Sequence, residues 1–319
     1  MISFEPKELP VNVVHQYLLG GIAPRPIALV STISDDRINN LAPFSFYNAF
    51  GANPPIVAFS PARRGRDNTV KDSYNNIMAN KECVINAVSY SMVEQINLAS
   101  CEYPSDIDEF KKAGFTAINS DIVSPKRVKE SLFQMECKLL QMVTTGDTNG
   151  AANIAICEVV KFHISEDISL DTSIGGVKAE LIDLVGRNGG NLYTRASGNA
   201  LFEVRKPGTL KGMGFDNLPE FLLNSEILTA NNLAQIAINE QFPTKESVAD
   251  WVNSLENIQA DSSNEELYIN SKNYEKIFKL AQNEINPNRK QTLVENTIKL
   301  ALAANEINFA LNVVVWFLE

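Results

Sequence analysis

The sequence predicts two kinds of structure in one chain: a mainly β N-terminal domain over residues 1–214 and an all-α C-terminal extension over residues 215–319. Three observations carry this. Short runs rich in β-branched and aromatic residues, bounded by turn residues, recur through the first 200 or so positions. Few helical patterns separate them, which argues for an antiparallel barrel rather than a doubly wound sheet. After about residue 215 the pattern changes to long, polar-punctuated, helix-prone segments.

In order, strands are expected over Pro26–Ile33, Leu41–Tyr47, Ile56–Ser60, Cys83–Val88, Phe133–Val143 and Ile154–Ile164, with Ser34–Arg37 as a hairpin connection. Val70, Tyr74, Ile77 and Met78 fall on one helical face, and Thr69 and Asp72 are placed as a cap pair. A second helix is expected from Ser91, where Glu94 completes a Ser-x-x-Glu capping box; a third turn, Asp108–Ala113, can be ended by Gly114. In the C-terminal part, helices are expected over Asn231–Glu240, Lys245–Leu255, Asn264–Ile285 and Asn288–Leu318, with Thr244 as an N-cap. The run Val313–Leu318 reads either as a buried helix end or as a strand. Trp251 and Trp316 read as core anchors.

Composition removes several function classes. A net charge of −10, with 7 basic and 15 acidic residues from Phe215 onward, disfavours binding to a phosphate backbone, so no nucleic acid is expected. No stretch is long and apolar enough for a membrane span, and the start does not read as a signal peptide; the cytoplasm is the default location. Cys83, Cys101, Cys137 and Cys157 form no Cys-x-x-Cys pair and read as buried thiols. With only His15 and His163, both read as ordinary polar residues, a zinc site has no support and metal ligands are not expected. No G-x-S-x-G elbow is present, which argues against hydrolytic chemistry.

One region gathers cations. Arg63, Arg64, Arg66 and Lys71 lie within nine residues of an acidic protein, just where a helix begins. Free backbone N–H groups at a helix start favour an anion, and Thr69 and Ser73 add hydroxyls. The local sequence supports a phosphate site and a solvated, ion-paired loop equally well. From spacing alone, Ser45, Asn48 and Ser60 read as turn formers at strand ends.

The motifs Arg25-Pro26-Ile27-Ala28-Leu29-Val30-Ser31-Thr32, Asn40-Leu41-Ala42-Pro43-Phe44-Ser45-Phe46, Asn53-Pro54-Pro55 and Lys71-Asp72-Ser73 stand in order. Asp108–Thr116 and Gly186–Tyr193 follow them. Together they resemble the signature of the flavin reductase-like FMN-binding split barrels, over about residues 20–200. The resemblance implies a six-stranded antiparallel split barrel that forms a homodimer and holds FMN in a groove near the dimer interface. It implies that Ala42, Pro43, Phe44, Ser45 and Asn48 line the isoalloxazine and that Ser31 and Ser60 sit near the ribityl chain or phosphate. Arg66, Lys71 and Ser73 are then the phosphate candidates, and Arg187 and Tyr193 close the pocket. No catalytic side chain is expected, because the flavin carries the hydride chemistry. The chain departs from the pattern at Leu29, where many relatives carry Trp, at Asp35-Asp36-Arg37, which lacks the usual Gly, and at Ser73 in place of Thr.

The implied activity is an NAD(P)H-dependent flavin reductase, with NADH or NADPH binding transiently, since no G-x-G-x-x-G fingerprint is present. Two alternatives stay open. One is a flavoredoxin-like electron carrier without its own NAD(P)H activity; the other is a non-catalytic barrel whose helical domain binds a partner. Asp216–Glu220 and Ser225–Leu233 resemble an extension of longer relatives, and the role of the remaining helical part is open.

Overall fold

The computed structural model describes residues 1–169, 175–255 and 257–319. The chain divides into two compact units, Met1–Glu203 and Val204–Glu319.

The first unit is organised by one antiparallel sheet. Its strands are β2 (Ala28–Ile33), β3 (Asn39–Phe44), β4 (Tyr47–Ala52), β5 (Pro55–Phe59), β6 (Glu82–Ala87), β9 (Phe133–Thr144) and β10 (Asn153–Ile164), in the order β3-β2-β6-β9-β10-β5-β4. Its two edges, β3 and β4, are separated in the chain only by Ser45 and Phe46, so the sheet curls about one core as an antiparallel split barrel. The expected single strand Leu41–Tyr47 supplies parts of two, and the sheet therefore carries seven strands. A three-stranded sheet, β1 (Arg25–Pro26), β11 (Val185–Arg187) and β12 (Tyr193–Arg195), and a small pair, β7 (Ala117–Ile118) and β8 (Arg127–Val128), complete the strands.

Strand alternation decides which residues meet. Ala28 and Val30 face inward with Phe44, Val57, Phe59, Ile85, Met135, Cys137 and Cys157. Leu29 faces the other way, into a cluster with Leu41 of β3, Met92 just before α3, Ile96 of α3 (Val93–Leu98) and Phe110 of α4 (Glu109–Ala113). All six residues of β2 are buried, Ser31 and Thr32 included, so both faces of this strand are covered. The thiols of Cys83, Cys137 and Cys157 are free and buried as expected, whereas Cys101 is exposed.

Two expected caps are not made. α2 (Asp72–Asn80) starts after Lys71 with no side-chain cap, because Thr69 Oγ1 donates to Asp67 Oδ1 at 2.6 Å. A carboxylate two residues away offers a closer partner than the helix end. Ser91 lies in a 3₁₀ turn and shares a hydrogen bond with Ser89 Oγ at 2.9 Å, so α3 begins two residues later without a box. The Asp108 cap is made: its side chain accepts from Phe110 N, and Gly114 closes the turn at φ 71°. One helix lies outside the expectations. α1 (Val11–Gly21) follows Pro10, and none of its residues is buried.

The second unit is helical. α6 (Glu220–Leu223), α7 (Ala230–Ala237), α8 (Lys245–Ser254), α9 (Glu265–Asn270), α10 (Tyr274–Asn283), α11 (Pro287–Ala303) and α12 (Ile307–Leu318) enclose a core around Leu222, Ile236, Ile277, Phe278, Leu293 and Val314. In the first unit, α5 (Ala179–Ile182) precedes β11. Two expected long helices are each broken by a residue in the left-handed region, Lys272 at φ 56° and Asn305 at φ 63°. Thr244 caps α8 as expected, accepting from Ser247 N. Val313–Leu318 is helical: Trp316 packs edge-on against Phe278 with ring centroids 4.9 Å apart. Trp251 meets Phe278 and Phe309 at 5.1 and 4.9 Å.

Candidate functional site

Asn40, on β3, joins three elements. Its Oδ1 accepts from Ser73 Oγ on α2 at 2.8 Å and from Thr32 Oγ1 on β2 at 3.1 Å. Its Nδ2 donates to Glu109 Oε1 on α4 at 2.8 Å, and Leu41 N donates to Glu109 Oε2 at 3.1 Å. Burial pushes the Glu109 carboxyl above its ordinary value. Ser73 is therefore turned inward, 1% exposed, with its hydroxyl spent on Asn40. What it does is seat the start of α2 on the barrel.

The four cations beside that helix start have different fates. Arg63 donates to Asn68, and Arg64 donates to Thr69 and Val70, with Glu102 3.6 Å away. Arg66 is exposed and paired with Glu102 at 2.7 Å and Asp67 at 3.1 Å. Lys71 is half-buried, with Nζ 5.5 Å from the centre of the Phe44 ring. Burial lowers its pKa, and Arg64 lowers it further. Among the described residues no carboxylate lies within ion-pair distance of Lys71. The ion-paired reading thus holds for Arg64 and Arg66, while Lys71 and the uncapped first turn of α2 keep their capacity for an anion.

Among the described residues two buried hydroxyls have no partner, Ser31 Oγ on β2 and Ser60 Oγ just after β5. Ser31 is fully enclosed; Ser60 is 9% exposed, and its N–H donates to Phe46 O at 2.9 Å. Ala42, Pro43 and Ser45 are half-buried at the β3 edge, Phe44 points into the core, and Asn48 is exposed on β4. An orphaned hydroxyl, an unpaired lysine and an uncapped helix start are the donors that a phosphate-bearing, hydroxylated ligand such as FMN requires.

A cavity of about 460 Å³ lies against the same unit. Its walls are mainly apolar, among them Pro26, Ile27, Val88, Phe133, Met135 and Leu184, with Arg25, Tyr47 and Asn48 as polar members. Burial pushes the Tyr47 hydroxyl well up. Gly186 lines it too, and a Cβ there would fall 2.8 Å from Pro24 Cβ, so the β1–β11 approach needs a glycine. Arg187 and Tyr193, which flank the lining residues Gly186 and Thr194, are register partners across β11 and β12, with the guanidinium 5.6 Å from the ring centre.

Arg25 was not among the expected site residues. It is 4% exposed and donates to Leu19 O at 2.6 Å, Ile22 O at 2.5 Å and Asn188 O at 3.1 Å, with Ser45 Oγ at 3.5 Å from Nε. It thereby ties the end of α1, the β3–β4 turn and the β11–β12 hairpin together. Its only sequence signal is a charge directly before a buried strand.

The model of the flavin reductase like domain matches residues 20–175, inside this first unit. An uncharacterized protein of Aquifex aeolicus is 37% identical over 203 residues, covering 64% of this chain and 100% of that protein. Nitrilotriacetate monooxygenase component B from Bacillus cereus superposes with a TM-score of 0.59 at 30% identity, covering 65% of this chain and 98% of that one. The chain belongs to the flavin reductase like family. A 2-nitrobenzoate 2-nitroreductase from Pseudomonas fluorescens shares the fold at 24% identity, with a TM-score of 0.58 and coverage of 67% and 100%. Among the described residues no helix is long and apolar enough to cross a membrane.

Proposed function

We propose that this protein is an FMN-binding oxidoreductase, reduced by NADH or NADPH, of the flavin reductase type. The observation that carries the reading is the apolar cavity walled by Arg25 and Asn48 in a chain of this family: among the described residues its lining holds no cysteine, no histidine and no carboxylate. Such a site suits a ligand that brings its own chemistry. Bound flavin would supply the two-electron redox chemistry. The chain's own residues bind and orient it. Ala42, Pro43, Ser45 and Asn48 form the edge for the ring system, and Phe44 backs them from the core. Ser60 and Lys71 with the first turn of α2 take the phosphate end, Arg66 shapes the cationic loop, and Ser31 and Ser73 support from beneath. Arg187 and Tyr193 close the pocket. The apolar residues Val11, Tyr17 and Leu18 of α1 support a homodimer, since each is about half exposed.

The test is an absorption spectrum after FMN addition and desalting, then anaerobic NADH. Flavin bands that bleach are the expected result. Retained bands that do not bleach with NADH or NADPH would make the protein an electron carrier, and failure to bind FMN at micromolar concentration by fluorescence quenching would end the reading.

A further inference from the structure

Arg25 and Arg187 are register partners across β1 and β11. Like charges directly opposite in an antiparallel pair repel. This pair has no acid to neutralise it: among the described residues no carboxylate lies within ion-pair distance of either guanidinium. Acids are not scarce in a chain with 38 of them against 28 basic residues. Asp183, set between the cavity residues Ile182 and Leu184, is held by Arg195 at 2.8 and 2.7 Å. The backbone carbonyls of Leu19, Ile22 and Asn188 solvate the Arg25 guanidinium without cancelling its charge. A buried, uncompensated cation thus stands on the wall of an apolar cavity, where its field is screened far less than in water.

We propose that Arg25, backed by Arg187, makes this cavity prefer the reduced, negatively charged form of its flavin; this rests on the reading above that the ring occupies the cavity. In the step concerned, a C–H bond of the dihydronicotinamide breaks with its electron pair, and an N–H bond forms on the neutral oxidised ring. The nicotinamide departs as a cation and the ring keeps one negative charge, with no further proton required. That charge appears beside two guanidinium groups. Arg25 acts on it chiefly through its field, because three of its five N–H donors are already engaged by carbonyls.

The experiment compares binding of oxidised and dithionite-reduced FMN to the full chain under anaerobic conditions, with the midpoint potential of bound FMN measured in parallel. Wild type is expected to bind the reduced form at least about tenfold tighter. Arg25→Gln and Arg187→Gln are each expected to reduce that ratio about tenfold, equivalent to about 30 mV for a two-electron couple. Arg25→Lys is expected to retain most of the ratio, since it keeps the charge. A variant that weakens both forms equally, leaving the ratio and potential unchanged, gives these arginines a structural role only and overturns the proposal. Arg187 is half-buried and leaves the carbonyl contacts of Arg25 intact, so its variant reads the ratio even if Arg25→Gln does not fold; an unchanged ratio there also overturns it. Wild type that binds FMN with a ratio near one overturns this proposal alone. Wild type that binds neither form overturns the flavin reading and this one with it.

Discussion

The two units of this chain spend their buried polar groups very differently. Among the described residues, thirteen of the fifteen buried polar or charged side chains belong to Met1–Glu203, and only Glu295 and Thr297 lie in Val204–Glu319. In the helical unit both are satisfied: Glu295 accepts from Gln291 one turn back and from Ser225, 70 residues away, and Thr297 donates one turn back to Leu293 O. In the barrel unit, Asn40, Glu109, Glu136 and Arg25 join segments far apart in sequence. Burying such groups costs free energy unless every one finds a partner, so their concentration marks where backbone positions are fixed for more than packing. The barrel unit also holds the cavity, the unpaired Lys71 and the orphaned Ser60 hydroxyl. The helical unit is held by shape with one buried carboxylate tie, Glu295 to Ser225, the barrel unit by shape and by a wider polar framework.

The largest effect should come from breaking shape in the helical core. Phe278 is 1% exposed and touches Trp251, Phe309 and Trp316, so Phe278→Ala should cost about 3–5 kcal/mol, read by urea unfolding followed through tryptophan fluorescence. A midpoint shift no larger than that of a surface substitution would contradict this account of the helical core.

Breaking the polar framework should cost somewhat less and depend on pH. Burial alone would raise the Glu136 carboxyl. The N–H donors of Asp121, Ile122 and Val123, with His163, outweigh it and bring its pKa down from 4.5 to about 2. A depressed folded-state pKa means stability that is present above 4.5 and lost as pH falls through about 2. Glu136→Gln should therefore cost about 2–3 kcal/mol at pH 7 and progressively less as the solution is acidified below 4.5, measured by unfolding at a series of pH values. Equal cost at every pH would show that the charge is not what holds the loop.

Two smaller effects sharpen the site itself. Lys71→Met should weaken FMN about tenfold, about 1.4 kcal/mol, with riboflavin affinity unchanged, because only FMN carries the phosphate. Loss of both alike would move Lys71 away from the phosphate. Arg66→Gln should weaken FMN less than Lys71→Met in the same titration, since Arg66 is exposed and already paired with Glu102 and Asp67. The reverse ranking would exchange their roles.

Local chemistry made much of this legible. The β-branched runs mark β2, β5, β6, β9 and β10, and the Asp108 and Thr244 caps follow from residue type and spacing alone. The Thr69 and Ser91 caps did not follow, because a nearer partner, Asp67 or Ser89, won the hydroxyl. The division of Leu41–Tyr47 was equally hidden: the run is apolar except for Ser45, and only pairing of Phe44 with Ala28 and of Tyr47 with Phe59 assigns its ends to different edges.

By itself the sequence determined the period of each segment, the sign of the charge, the family's ordered motifs and the residue types offered to the site. Those depend on neighbours a few positions away. Tertiary structure alone decided that Ser73 is spent on Asn40, that Lys71 stays unpaired while Arg66 does not, and that Arg25 stands beside Arg187. Hydrogen bonds and ion pairs act over a few ångströms of space. Where a donor can choose between a carbonyl six residues away and one 163 residues away, as Arg25 takes both Leu19 O and Asn188 O, only the folded chain settles the choice.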